Sequence, residues 1–442
     1  MRNSSDTGMK GDSVLMKKAT LILVLLVLAV LASSCTMLPA SKLESMFQMN
    51  QETSVSSGVT GEQKTTGDDT VTISREEYER YHKFEEMFTI FDFANNSFYQ
   101  ETDPDKMIEY ATRGLMLGLE DPYSYYYNPK EFAEMWEDDE GNYVGIGVLI
   151  SSNLETQVCT ISRVFKGGPA EEAGVQRGDI LYRVGEDMYV NANNLQEAVD
   201  IMRGEPGTDV DVTFLRGEQE ITYTITRRQI VVNQVESTML DSSVGLIALY
   251  EFAGQCEKEF ENDLNQLLKR GAKGIIIDLR DNPGGWVDQA RYIADLFMDE
   301  GELCYLKYRD SEVHTDYPTK DGKTDVQLVI LINENSASSS EILTGALRDC
   351  AGAIIVGVKS YGKGIIQGVY PIGSDGAGFQ MTIAQYYTPK GTAVHKVGIT
   401  PDYEVPLPEG DNGGYDFADM EHDVQLIKAL EVMKEALKNA DF

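Results

Sequence analysis

Ser336, Ser338, Ser339 and Ser340 crowd what reads as a helix N-terminus, and a lysine between two glycines, Gly362-Lys363-Gly364, follows a short apolar strand at 353–356. A serine hydroxyl is a poor nucleophile and needs a base to take its proton. A lysine can be that base where burial disfavours its charged form. Gln367 stands four residues beyond Lys363 and shares a face with it in a strand or a helix, so its amide would orient the amine without adding charge. Acyl transfer also needs donors for a developing oxyanion. Gly284 and Gly285, after the rigid Pro283, can expose backbone N–H groups, and a nucleophile at a helix N-terminus brings free N–H groups of its own. The residue types point to acyl transfer with a serine nucleophile and a lysine base. They do not rank the four serines, and helix capping and solvation are the expected roles of the three that are not the nucleophile.

Other chemistries fit less well. Residues 357–364, GVKSYGKG, nearly spell a phosphate-binding loop behind a strand. The position after the lysine should be Ser or Thr to reach Mg²⁺ and is Gly364, and 365–370 reads as strand where a helix should follow. The five cysteines, Cys35, Cys159, Cys256, Cys304 and Cys350, have no CxxC spacing, and His82, His314, His395 and His422 are scattered. No metal and no cofactor are expected. Among the histidines only His395 is a candidate for a fold-assembled Ser–His pair. The chain carries 72 acidic and 38 basic residues, a net charge of −34, which argues against a nucleic-acid partner because phosphates need clustered Lys and Arg.

The elements that must position these residues alternate strand and helix. An apolar strand at 244–250, an amphipathic helix at 257–270, a buried strand at 274–279, a helix at 289–298 and a strand at 327–332 precede the serines. That alternation indicates an α/β layer, with function at the carboxyl ends of strands, where both the Asn282-Pro283-Gly284-Gly285 turn and the serine cluster fall. Residues 379–387 add a strand, and 423–438 reads as a surface helix. Upstream, short strands at 148–150, 158–164, 179–184, 210–214 and 221–225 with one helix at 194–202 read as a small, partly open β-barrel. Further upstream, 74–93 has aromatic and apolar residues at helical spacing, and a second helix runs from the Asp103 N-cap and Pro104 to Leu119.

The N-terminus is of another kind. Residues 19–32 form a largely apolar run of fourteen behind Lys17 and Lys18, the length of a secretory signal core and short for a membrane span. From Met16 the text is a compact leader, MKKATLILVLLVLAVLASSC, and the small residues before Cys35 resemble a lipoprotein acylation site. An ordinary cleaved signal or an uncleaved anchor are the alternatives, and each places the rest outside the cytoplasm. Residues 36–72, rich in Ser, Thr, Gly and Gln, read as a disordered tether.

Two resemblances sharpen this reading. GIGV at 145–148, GGPAEEAGVQRGDIL, the NLQEAVDIMRG helix and the Gly207-Thr208 turn resemble a PDZ domain of the bacterial protease type. The resemblance implies that a peptide C-terminus adds as a strand beside 148–150, with its carboxylate on the loop at 143–147 and Gly145, Ile146, Gly147 and Val148 as contacts. VGLIALYEF, GIIIDLRDNPGG, SASSSE, YGKGIIQ, AQYYTPKG and GITPD, in that order, resemble the carboxyl-terminal processing proteases of the S41 serine peptidase family over roughly 75–440. That resemblance selects Ser338 as nucleophile, Lys363 as base, Gln367 as the assisting amide, and Gly285 and Ser339 as oxyanion donors. The chain departs from the family text where Glu334-Asn335 replaces glycines and Ser339 replaces alanine.

The expected fold is multidomain α+β: a leader at 1–35, a linker at 36–72, a helical region at 73–135, a PDZ barrel at 136–230, an α/β peptidase core at 231–410 with the ClpP/crotonase-like layering that the family implies, and a helical tail at 411–442. The expected activity is a secreted or membrane-tethered endopeptidase of the cell envelope that selects protein substrates by apolar C-terminal tails. A homodimer through the helical region and a regulatory protein partner accompany that expectation, together with gating by PDZ movement. The competing reading is a catalytically silent PDZ scaffold that binds protein C-termini.

Overall fold

The computed structural model describes residues 71–439 apart from 140–141, 154–155, 310–312, 315–317, 320–323, 409–414 and 416. The leader, Cys35 and nearly all of the tether lie outside the described residues. The described chain divides into two compact units, one of residues up to 130 with 369–381, the other of the remainder.

The larger unit is built on a six-stranded sheet. Its strands are β1 (Val235–Met239), β2 (Val244–Leu249), β3 (Gly274–Asp278), β4 (Gln327–Ile332), β5 (Ile354–Gly357) and β8 (Tyr403–Glu404), adjacent in that order, with β1 antiparallel and the rest parallel. Parallel strands covered on both faces read as unbroken apolar runs, and β2, VGLIAL, is buried at every position. Helices α1 (Cys256–Lys269), α2 (Val287–Asp295) and α3 (Ser339–Ala351) cover one face, where Phe260, Leu264, Ala290, Ile293 and Leu343 meet Ile275, Ile277 and Ile330. The strand alternation sends Leu246, Ile276, Val329 and Leu331 to the other face. There helix α4 (Val424–Asn439) lays Leu426, Ala429, Leu430 and Met433 on them. α4 is therefore not the surface helix expected at 423–438 but the second covering layer of the α/β core. Between β5 and β8 the chain forms a hairpin of β6 (Ile365–Ile372) and β7 (Ala377–Tyr387).

A buried ion cluster fastens α4 to the sheet. Arg280, just past β3, donates to Asp278 at 2.6 Å and to Asp423, the residue before α4, at 2.7 Å, and also reaches Gln425 at 3.1 Å. Asp423 is 2% exposed through its side chain, and one guanidinium serves both carboxylates.

The PDZ region, in the same unit, is an antiparallel sheet of Val148–Ser152, Cys159–Val164, Ile180–Val184, Asp209–Arg216 and Gln219–Thr226, adjacent in that order. It closes over Ile161, Leu181, Val212 and Phe214, with Ala198 and Met202 from the helix Leu195–Met202. Val148–Ser152 is the sheet edge. Arg163 leaves this domain to stack on the Tyr250 ring at 3.7 Å and to donate to the Asn233 carbonyl at 2.5 Å, and Arg177 donates to the Tyr415 carbonyl.

The smaller unit has helices Arg75–His82, Glu85–Ser97 and Pro104–Leu117, and a strand Tyr125–Tyr127 antiparallel to residues 378–380. Ser74 and Glu77 form a reciprocal capping box, and Asp103 caps the third helix by accepting from the Lys106 N–H at 3.1 Å. The single run expected at 74–93 is two helices, because the chain turns at Lys83 and Phe84, a break that apolar periodicity does not encode. None of the three helices buries a residue, and Tyr78, Phe88, Ile90, Phe93, Leu115 and Leu117 all stand largely exposed. A helix at Pro129–Asp139, not anticipated from sequence, leads toward the PDZ region.

Replacing Arg280 by methionine leaves the buried Asp423 and the half-buried Asp278 without a cation. The expected cost is about 3–5 kcal/mol, read as a lowered unfolding midpoint in urea. A loss below about 1 kcal/mol, the range of a surface pair, would show that the cluster does not hold α4.

Candidate active site

Three parallel strands deliver the site to one end of the sheet. β3 runs into the 282–285 turn, β4 into Ser336 and Ser338, and β5 toward Gly362-Lys363-Gly364. Asp278 pairs with Leu331, and Ile332 with Gly357, so the three loops emerge side by side.

All four serines are 0% exposed. The solvation expected of three of them is corrected: they are buried, and their hydroxyls donate to the carbonyls of the neighbouring turn. Ser336 donates to Leu279 at 2.7 Å, Ser339 to Gly285 at 2.7 Å and Ser340 to Asn282 at 2.9 Å. Those carbonyls lie in a dry contact, where an acceptor left without a donor is costly. Ser338 is the exception. It is the N-cap of α3, with φ 56° and ψ −119°, a strained backbone for a residue with a Cβ. Its Oγ has no hydrogen-bond partner among the described residues.

The turn comes so close that only glycine fits. A Cβ on Gly284 would lie 2.6 Å from the Ser338 Cβ and 2.9 Å from the Ser339 nitrogen. A Cβ on Gly285 would overlap the Phe252 carbonyl. The Gly284 N–H is taken by Asn282 Oδ1 at 2.9 Å, and the Asn282 amide in turn donates to the Leu249 carbonyl at 2.7 Å. The Gly285 and Ser339 N–H groups donate to no described residue. The substitution of Glu334-Asn335 for glycines has a visible counterpart: Asn335 and Asn333 both donate to Asp281 Oδ1 at 2.8 Å, which clamps the approach to the turn.

Lys363 is 4% exposed. The flanking glycines lie where another segment presses in, Gly362 against 396–398 and Gly364 against the His395 backbone. His395 itself is half-buried. Gln367, on β6, is 0% exposed; its Nε2 donates to Thr382 Oγ1 at 3.1 Å, and its Oε1 has no partner among the described residues.

Two residues that sequence reasoning passed over complete the arrangement. Glu341 is 1% exposed and collects four donors. Ser338 N–H and Lys363 N–H reach its Oε2 at 3.1 and 2.8 Å, while the Ser360 hydroxyl and Gly362 N–H reach its Oε1 at 2.5 and 2.7 Å. Burial pushes its carboxyl up, opposed first by the Ser360 hydroxyl and then by the three amides. The Ser-x-x-Glu spacing from Ser338 is a capping-box signal and could have found it. Tyr386, buried on β7, donates its hydroxyl to the Ser338 carbonyl at 3.1 Å. Burial raises the phenol well above its ordinary value, so it remains a donor. No sequence signal marks it, because its role depends on where β7 lies.

The peptide-site candidates sit together in the PDZ region. Gly145 ends the strand Asn142–Gly145, which pairs with Arg228–Val231. The Ile146 and Gly147 carbonyls accept from Ala170 and Phe165 at 2.8 and 3.0 Å, and Val148 opens the edge strand. Among the described residues, no group of His, Cys, Asp or Glu could hold a metal ion.

Gly284→Ala is expected to displace Ser338 and reduce its labelling by a fluorophosphonate by about 100-fold, the scale of losing an oxyanion contact, with the circular dichroism unchanged. Labelling at the wild-type rate would overturn the close-contact account.

The pattern of peptidase family S41 matches residues 243–405, a PDZ domain matches 160–216, and the activating protease CtpB N-terminal domain matches 41–131. The carboxy-terminal processing protease CtpA of Bacillus subtilis is 32% identical over 74% of this chain and 70% of its own length. The carboxyl-terminal-processing protease of Synechocystis is 36% identical over 67% of this chain and 71% of its own. The solved photosystem II D1 C-terminal processing protease shares the fold, with a TM-score of 0.50 at 24% identity over 79% of this chain and 96% of that one. The three family matches follow one another along this chain, and the chain belongs to the carboxyl-terminal processing proteases of peptidase family S41, serine-type peptidases.

Proposed function

We propose that this serine peptidase is an endopeptidase that works with Ser338 as nucleophile and Lys363 as general base. One observation carries the reading: a fully buried Ser338 Oγ with no partner among the described residues, on a strained helix N-cap, beside two N–H groups that donate to no described residue. An orphaned buried hydroxyl costs about 1–3 kcal/mol, a cost that makes sense where a substrate will take up the group. Oγ attacks the scissile carbonyl carbon as Lys363 Nζ takes its proton. The Gly285 and Ser339 N–H groups hold the tetrahedral oxyanion. The lysine proton then goes to the leaving amine, and water hydrolyses the acyl-enzyme by the same route in reverse. Gln367, whose Oε1 is also unpartnered, is the amide that orients the lysine.

Substrates are chosen by apolar C-terminal tails. The unpaired edge of Val148–Ser152 supports this, since an extended tail can add to it as a strand. The free edge is equally what a silent PDZ scaffold would have, but such a scaffold would have no use for the strained, buried geometry at Ser338. PDZ movement gates the site, and a regulatory protein partner acts on that gate. The chain acts outside the cytoplasm, tethered by its leader, which the apolar run before Cys35 supports. The exposed apolar residues of the three N-terminal helices support a homodimer through that region.

The full chain in mild detergent should cleave a test protein ending in an apolar tail. The same protein with a charged tail should be spared. Ser338→Ala and Lys363→Ala should each abolish cleavage, and His395→Ala should retain it. Loss in His395→Ala with survival in Lys363→Ala would replace the lysine by a histidine base, and tail binding with no cleavage would leave the scaffold. The mass of the mature N-terminus should carry acyl chains on Cys35, and sedimentation should give twice the chain mass. An unmodified N-terminus or a monomer would remove the respective claim.

A further inference from the structure

The four-donor cradle of Glu341 is more than a helix cap. A capping box would account for the Ser338 N–H alone. The other three donors come from 360–363, the loop that carries Lys363. We infer that Glu341 is the positioning residue of the reaction, a single buried carboxylate that sets the separation of Ser338 and Lys363 by holding the backbone N–H of both on one oxygen. The inference rests on the Ser338–Lys363 reading above.

The donor set fits a carboxylate. All four partners donate, and only an ionised carboxyl offers two oxygens with no hydrogen of its own. The loop side of the cradle is itself anchored. Ser360 Oγ, while donating to Glu341 Oε1, accepts from the Ile399 N–H at 2.6 Å, and Ser360 N–H donates to the Ile399 carbonyl at 3.1 Å. The helix side is anchored by Tyr386, whose hydroxyl donates to the Ser338 carbonyl and whose phenol also senses the Glu341 carboxyl. The two catalytic loops thus meet at one acid and are each pinned behind it. Glu341 touches backbone only at the two proposed catalytic residues, so it positions them and does not enter the chemistry.

Glutamine and leucine at 341 should behave differently. Glutamine can point its carbonyl oxygen at the Ser338 and Lys363 amides and lose mainly the Gly362 bond, while leucine removes every acceptor. With the full chain and an apolar-tailed test protein, Glu341→Gln should lower kcat about 10-fold and Glu341→Leu by about 100-fold or more, the scale of a small misplacement of reacting groups. KM should stay within about threefold, because the tail site is elsewhere. Ser360→Ala, which removes one donor and keeps the acid, should fall near the glutamine variant. Glu341→Gln is nearly isosteric and keeps the test alive if the leucine variant does not fold. A glutamine variant with kcat within about twofold of wild type would overturn the inference, as would a loss carried by KM. If Ser338→Ala or Lys363→Ala retains activity, the Ser–Lys reading fails instead. If both are dead and Glu341→Gln is fully active, only the positioning role falls.

Discussion

The turn at 282–285 lies against the start of helix α3 with no room for a side chain between them, and the rest of the site depends on that contact. At Gly284 a single added carbon would meet the Ser338 Cβ, so the glycine is a steric requirement before it is a chemical one. The contact holds Ser338 at a positive φ that costs about 1–3 kcal/mol and persists only when surrounding bonds over-determine it. They do: Ser339 and Ser340 donate into the turn, Ser336 donates to the Leu279 carbonyl ahead of it, Asn282 ties it back to β2, and Tyr386 holds the Ser338 carbonyl.

Such a contact needs a rigid base. The sheet supplies one because its central strands are apolar on both faces and roofed by helices on each. Three neighbouring parallel strands then end at one level, and three loops distant in sequence come out together. The second roof, α4, depends on its apolar stripe and on the Arg280 cluster, which pairs a cation from the β3 end with an acid just before the helix. The Arg280 cluster and the 282–285 turn leave the same strand end, so the stability of the core and the geometry of the site share a few residues of chain.

Polar groups in this dry interior fall into two kinds. Most are satisfied, as at Asn282, Ser336, Ser340 and the four-donor cradle of Glu341. Among the described residues a few buried side-chain atoms are not, Ser338 Oγ and Gln367 Oε1 among them. Satisfied groups fix shape, and unsatisfied ones mark where the molecule has work left to do. The satisfied groups give this serine peptidase of family S41 a rigid scaffold.

Much of this was legible before any coordinates. Runs such as VGLIAL and GIIID declare buried parallel strands, the Asp103-Pro104 pair declares a helix start, and motif order declares the family. Periodicity reports which face is apolar but not what covers it. For that reason α4 read as a surface helix, and the break at Lys83–Phe84 did not show. The serines are the sharper case. Their composition alone allowed any of four to be the nucleophile and left the others to solvent. By itself the sequence determined the chemical inventory: serines at a helix start, glycines after a proline, a lysine between glycines and an amide four residues on. Only the tertiary structure decided which hydroxyls are occupied, which N–H groups donate to no described residue and that one buried glutamate holds two loops, because hydrogen-bond partners 19 to 58 positions apart are chosen by where strands end in space and not by local spacing.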